Sequence, residues 1–308
     1  MTLPEQVGRA FRQRVLSRAV FVTGPARSGT SLLGNLLHSC EGCELAFEPP
    51  TLLQILAAMT DEPQDEILRA IEAYLTEDLL LGSLSGRSLN LRRRDESSAW
   101  KGKGAAEIEK RLQAGSRKSD LLELAGMSRL IVKVPDVVPK VRTLCRTFKG
   151  ATAVVVVRDP IDTIVSWLSR GWLGQPDLEH GQRVWPVYRT HFGSIPHFIV
   201  PEDQPAFGSA SECDRVAIHL ERTFRTLLDA QDSRVVIYDE LVMSPRQVVE
   251  RLCRELGLVR TERTDTLIAE IHSESLSRSV PPDLDPARYS LLVRLYSEIL
   301  RRHSIAGA

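Results

Sequence analysis

The residues best placed to do chemistry lie in the run Phe21-Val-Thr-Gly24-Pro-Ala-Arg27-Ser28-Gly29-Thr30-Ser31-Leu-Leu. An apolar stretch enters a glycine-bounded turn, and a helical pattern opens directly after Gly29. Such a turn aims successive backbone N–H groups and a helix N-terminus at one point, the arrangement that binds phosphate. The spacing Gly24-x4-Gly29 is that of a P-loop, but Thr30 stands where a triphosphate-hydrolysing loop carries Lys. That Lys ordinarily stabilises charge on the β- and γ-phosphates, so triphosphate hydrolysis loses its main cation here. Arg27, Ser28, Thr30 and Ser31 can still cradle one phosphate with a short anionic extension.

A second anion position follows Val157-Arg158-Asp159-Pro160. Asp159 suits a helix N-cap and Pro160 the first helical position, which leaves Arg158 at the end of a strand. Ser166 lies two turns into that helix, on the face of residues 159, 162 and 163, from which it can converge with Arg158 on one anion. Two anion positions at neighbouring strand ends point to a nucleotide with phosphates at separate places. Lys133 ends another strand, as an anion contact or as a salt-bridged side chain. By residue type alone, Glu48 in Ala46-Phe47-Glu48-Pro49 reads as an exposed loop carboxylate.

These positions require strands that end at one edge. The strand candidates are 19–23, 130–133, 151–157 and 234–238, with a short one at 44–47. Helical segments follow at 29–39, 136–148, 160–170 and 244–256. The run Ala-Thr-Ala-Val-Val-Val-Val is apolar on both faces, as a central parallel strand covered by helices must be. This alternation predicts an α/β fold, a doubly wound parallel sheet flanked by helices. The expectation is a single domain over 1–308, with a helical insertion at 51–128 and an irregular one at 171–211 covering the strand ends, where such sheets place ligands.

Composition removes other classes. The 308 residues carry 40 basic and 40 acidic side chains, so no broad basic surface offers itself to nucleic acid or an anionic membrane. Only seven of the basic residues are Lys; Arg forks suit planar and tetrahedral anions better. Five cysteines, an odd number, fit a reducing compartment rather than a disulfide scaffold, and the lone Cys40-Glu-Gly-Cys43 makes a poor zinc site. No apolar run approaches the length of a membrane span, and the charged N-terminus is no signal peptide. A cytoplasmic protein is expected.

The chain resembles the sulfotransferase family, which uses 3′-phosphoadenosine 5′-phosphosulfate (PAPS) as donor. Gly24 through Ser31 resembles the family's 5′-phosphosulfate loop, and Val157-Arg158-Asp159-Pro160 through Ser166-Trp167 its 3′-phosphate motif. Tyr238-Asp-Glu-Leu-Val-Met-Ser-Pro245 is similar to the segment after its last core strand. The resemblance covers roughly residues 19–260 and implies a P-loop-like fold and PAPS as co-substrate, with no metal. It implies donor contacts from Gly24, Arg27, Ser28, Gly29, Thr30, Ser31, Arg158 and Ser166, with Ser277 and Arg278 in a donor-covering loop. It places Lys133 near the transferring sulfonate. In one branch the general base is a Glu about 21 residues beyond the loop Arg; Glu48 occupies that place, while Val132-Lys133-Val134-Pro135-Asp136 lacks the His of the other branch.

The expected reaction is sulfonate transfer to a hydroxyl of a small molecule, glycan or carrier-bound acceptor. Glu48 is the expected base, with Lys133 and Arg27 catalytic; His191 is the substitute base. Alternatives are a P-loop-type small-molecule kinase and a nucleotide-binding protein without transfer. Trp167, Trp172, Trp185, Tyr188 and Phe192 fall in or beside the acceptor-side insertion with His180 and His197, as packing or as substrate contacts. Arg92-Arg93-Arg94 reads as a solvated loop, or as a contact for an anionic acceptor or carrier.

Overall fold

The computed structural model describes residues 8–60, 62–113, 117–180, 185–229, 233–272 and 279–305. Five parallel strands form the central sheet: β1 (Val20–Thr23), β2 (Cys43–Phe47), β3 (Arg129–Lys133), β4 (Thr152–Val157) and β7 (Arg234–Ile237), in the order β2-β3-β1-β4-β7. Phe21 pairs with Val132 on one side and Ala153 on the other, and Val156 with Val236. The chain leaves β1 for one edge, returns through β3, then crosses over to β4. That reversal makes the carboxyl ends of β1, β3 and β4 the place where an open α/β sheet leaves a crevice.

Helices cover both faces because alternate side chains of these strands are apolar on both. Val20, Val22, Ile131, Val154, Val156 and Val236 form one core with the helices Thr30–His38 and Pro245–Leu256. On the opposite face, Val155, Val157, Val235 and Ile237 pack under the helices Pro160–Leu168, Glu212–Leu228 and Pro286–His303. Phe21, Leu130 and Val132 pack under the N-terminal helix and the helical insertion. All of these sheet residues are buried.

Strand boundaries match the sequence reading to about one residue, except that Tyr238 begins a short helix, Tyr238–Met243, instead of ending a strand. The stretch 171–211 is more ordered than its composition implies. It contains a helix at Gln175–His180, an antiparallel hairpin of β5 (Val187–Thr190) and β6 (Gly193–Pro196), and a helix at Gln204–Ser209. Two four-residue strands, one of them bounded by Gly193 and Pro196, give too little alternation to register as strands. Within the helical insertion, Tyr74–Leu81 is a π-helix, a rare form whose widened turns favour functional sites. Among the described residues, no helix is long and apolar enough to cross a membrane.

Candidate active site

Arg27, Glu48 and Asp136 have φ of 69°, 45° and 61°, and they are the non-glycine residues with positive φ among those described. Each stands in the turn after one of three neighbouring strands: β1, β2 and β3. Left-handed backbone at a non-glycine residue costs on the order of 1–3 kcal/mol and persists where surrounding contacts over-determine it. Three such residues at one sheet end mark it as the worked part of the molecule.

The contacts that fix the first turn are visible. Asp136 donates its N–H to the Gly24 carbonyl at 2.8 Å, and its Oδ1 accepts the Ala26 N–H at 2.8 Å. Trp167 Nε1 donates to the Ala26 carbonyl at 2.8 Å. Buried His219 lies with Nε2 2.8 Å from Asp136 Oδ1; a carboxylate only accepts, so that ring nitrogen carries the proton. Gly29 is left-handed at φ 93°, and a Cβ there would come within 2.3 Å of the Tyr238 ring. Residue 29 must therefore be glycine for the loop to pass Tyr238. No side chain caps the helix Thr30–His38, so its first N–H groups are left for a ligand.

A cleft of about 470 Å³ opens over this turn, lined by Arg27, Gly29, Thr30 and Ser31 from the loop, and by Glu48, Lys133, Arg158 and Tyr238 from other strand ends. Lys133 is buried; its Nζ donates to Glu48 Oε1 and lies 4.4 Å from the Phe47 ring centre, while Glu48 N–H donates to the Lys133 carbonyl at 2.8 Å. Arg158 donates to Asp162 at 2.8 Å and stacks 4.6 Å over Tyr238. As expected from sequence, Asp159 caps the helix after β4, accepting from the Ile161 and Asp162 N–H groups.

Arg158 Nε, from a residue lining the cleft, and Ser28 Oγ, buried within the loop itself, have no hydrogen-bond partner among the described residues. A buried polar group without a partner costs about 1–3 kcal/mol. Donors left in this state in a cationic crevice fit an anionic ligand.

The structure joins the expected residues with one difference of pairing. Ser166 accepts from Arg27 Nε at 3.1 Å, whereas Arg158 pairs with Asp162. Loop and helix start from adjacent strands, so a residue two turns into the helix reaches the β1 loop. Gly24 is buried at the loop's first turn. Ser277 and Arg278 lie outside the described residues. His191 is exposed in the turn between β5 and β6 and is not among the residues lining the cleft.

Cys40 faces Cys253 at 3.8 Å between Sγ atoms, both thiols buried. Arg92, Arg93 and Arg94 are exposed, Arg93 stacking 4.1 Å over Trp100. Of the aromatics, Trp172 lines the cleft, Trp167 is buried beneath the loop and Tyr188 is exposed. No group of three or more His, Cys, Asp or Glu among the described residues is placed to hold a metal ion.

Sequence reasoning did not single out Glu96 and Arg170, which line the same cleft, nor the Asp136–His219 pair beneath it. Asp136 carried one usable signal, its place three residues beyond Lys133 at a strand end. Glu96 carried none, being one charged residue in a polar loop.

The chain folds as an α/β protein with a largely cationic crevice at the ends of its parallel strands. The sulfotransferase family model matches residues 19–176, just over half the chain, and the protein belongs to that family. No curated protein matches the chain. Among solved structures it is similar to the sulfotransferase domain of the Synechococcus PCC 7002 olefin synthase, with 17% identity, 90% of this chain and 94% of that one covered, and a TM-score of 0.43. It is also similar to a sulfotransferase from Mycobacterium avium, with 13% identity, 94% and 78% covered, and a TM-score of 0.47. A sulfotransferase domain from the curacin biosynthetic pathway gives 14% identity, 91% and 96% covered, and a TM-score of 0.47.

Proposed function

We propose that this protein transfers a sulfonate group from PAPS to a hydroxyl of its acceptor, with Glu48 as general base. The observation that carries the reading is the convergence of Arg27, Lys133, Arg158 and Glu48, each from a different strand end, on one cleft over an uncapped helix N-terminus. On this reading the N–H groups after Gly29 and the hydroxyls of Ser28, Thr30 and Ser31 receive the 5′-phosphosulfate. Arg158 holds the 3′-phosphate and so sets the donor's register. Ser166 orients Arg27 toward the sulfonate.

The acceptor oxygen forms a bond to sulfur as the bond from sulfur to the 5′-phosphate oxygen breaks. Glu48 takes the hydroxyl proton. Arg27 and Lys133 stabilise the charge spread over the sulfonate and the departing phosphate. The products are a sulfate ester and adenosine 3′,5′-bisphosphate. Glu48 and Lys133 already touch in the free protein, so base and cation enter the reaction from one preorganised pair.

Calorimetry with adenosine 3′,5′-bisphosphate and with ATP tests the donor; the bisphosphate binds and ATP with magnesium binds far more weakly. Glu48→Gln lowers kcat about 10²–10⁴-fold, the worth of a general base, and leaves bisphosphate affinity unchanged. Arg27→Ala impairs both binding and transfer. Full transfer by Glu48→Gln removes Glu48 as base. Bisphosphate binding without turnover on any hydroxyl would instead describe a nucleotide-binding protein, and tight magnesium-ATP binding a kinase.

A further inference from the structure

A second cavity, of about 220 Å³, lies along the free edge of β2. Its wall comes from β2, from the first residues of the helix Pro50–Ala58, from the π-helix Tyr74–Leu81 and from residues 83–99, which fold across the strand. Phe47 is common to this wall and to the donor cleft, and Pro49 lines the second cavity. Glu48 stands between those two residues and lines the cleft. A carboxylate that must meet a donor on one side and an acceptor on the other belongs at such a border.

The two spaces differ in chemistry. Six residues lining the donor cleft are ionic: Arg27, Glu48, Glu96, Lys133, Arg158 and Arg170. The residues lining the second cavity include no Asp, Glu, Lys or Arg. Its histidine, His38, is neutral, because burial and nearby Lys103 hold its pKa down to about 3. The ring is pressed on Gly102, where a Cβ would come 2.3 Å from His38 Nδ1.

The buried ionic groups next to the cavity are paired with one another and are not among the residues that line it. Buried Glu44 accepts two hydrogen bonds from Arg111, both at 2.7 Å, and one from Ser83 at 2.6 Å. Lys103 Nζ lies 3.3 Å from Glu44 and donates to the Cys43 carbonyl at 2.6 Å. An ionic group entering the cavity would lose its hydration and meet no free counter-charge, a cost of several kcal/mol. A carbon skeleton meets Phe47, Tyr74, Leu79 and Leu89, and the polar side chains on the wall, His38, Ser83, Ser88, Asn90 and Ser97, are uncharged.

We propose that this cavity seats the body of an uncharged, largely apolar alcohol, whose hydroxyl passes Phe47 to reach Glu48. The assignment rests on the donor and base reading above and names the acceptor class for it. The cavity is smaller than the roughly 300–1,000 Å³ that holds a drug-sized ligand, so the seated group is a short chain or single ring. The π-helical turn supplies Tyr74 and Leu79 to the wall, which gives that unusual conformation a use.

The test uses the full chain, PAPS and the primary alcohols from 1-butanol to 1-octanol, with 6-hydroxyhexanoate as the charged counterpart of 1-hexanol. Expected is a kcat/KM that rises about four-fold per methylene until the cavity is full, with 6-hydroxyhexanoate at least about 100-fold poorer than 1-hexanol. Leu89→Trp, which fills the space, lowers kcat/KM for 1-hexanol at least about ten-fold; Leu79→Ala, which enlarges it, moves the optimum to a longer chain. Both variants keep wild-type bisphosphate affinity, which also shows that they fold. Saturation-transfer NMR on 1-hexanol without donor reads occupancy separately, and Leu89→Trp removes that signal. Equal use of 6-hydroxyhexanoate, a flat chain-length series, or indifference to both substitutions overturns the cavity assignment. Bisphosphate binding with no alcohol bound or sulfonated also overturns it, while leaving the donor reading intact. Loss of bisphosphate binding in the wild-type protein overturns the donor reading instead.

Discussion

The donor cleft and the β2-edge cavity share Phe47 and handle charge in opposite ways. In the cleft, Arg27, Lys133 and Arg158 line the ligand space, and Arg158 Nε has no hydrogen-bond partner among the described residues. At the β2 edge, the ionic groups Glu44, Lys103 and Arg111 pair with one another and with Ser83 of the wall, and the wall atom left without a partner, His38 Nδ1, belongs to a neutral ring. Partly satisfied groups leave binding energy for a ligand to collect; closed networks give a rigid, neutral wall. On the proposed donor reading, buried charge is a binding device in one region and scaffolding in the other.

Glu44→Gln is the harshest way to break that contrast. Removing one member leaves buried Lys103 and part-buried Arg111 with Glu107 as their remaining counter-charge, which costs about 3–5 kcal/mol. Thermal unfolding should fall by roughly 6–15 °C for a chain of this size, with 1-hexanol occupancy reduced. Bisphosphate affinity of the folded fraction stays at the wild-type value if the regions are independent. An unchanged melting temperature would mean that the network is not scaffolding at all.

Much of the cleft was legible because strand ends announce themselves in sequence. An apolar run that stops at Arg158, Lys133 or Gly24 fixes both the edge and the residue on it, and the five strands fell within about a residue of expectation. What lies beneath the loop was not legible. Ala26 and Asp136 meet across 110 residues of sequence, and His219 reaches Asp136 across 83. Those meetings follow from how β3 sits beside β1 and how a distant helix, packed over β4 and β7, brings His219 to the loop after β3, which no local pattern encodes. The pairing of Ser166 with Arg27 failed to register for the same reason: helix periodicity gives a face, while the neighbouring strand decides what that face meets. The second cavity was hidden because the segment 82–104 reads as a polar break, and its function as the outer wall of β2 exists only once it is folded across that edge.

Arg158→Ala probes the opposite side of the comparison with a smaller effect. A charge-assisted hydrogen bond to phosphate contributes about 1.5–3 kcal/mol, so bisphosphate affinity should drop about 10- to 150-fold. Stability changes little, because among the described residues Arg158 is held by one hydrogen bond to Asp162, by the Tyr238 face and by the charge of Asp239. Occupancy by 1-hexanol is unaffected. A loss of stability larger than the loss of affinity would place Arg158 with the scaffold and erase the distinction drawn from its unpartnered Nε.

The gentlest test is the pH dependence of folding at the β2 edge. His38 has a folded pKa lowered from 6.5 to about 3 by burial and by Lys103. Between those values the unfolded chain binds a proton that the folded chain refuses, so stability falls as pH drops below 6.5. Burial alone would push Glu44 up, but the Arg111 hydrogen bonds and Lys103 hold it down to about 2, from 4.5. Its contribution is fully present above 4.5 and is lost as pH falls toward 2. The two groups therefore act in one direction over overlapping windows. His38→Asn removes only the upper one: urea midpoints of the variant should be flatter than wild type from pH 6.5 down to about 3 and parallel to it below. Bisphosphate affinity at constant pH stays the same. If the variant's midpoints instead follow the wild-type slope through the upper window, His38 is not the group that keeps the cavity neutral at a cost in acid stability.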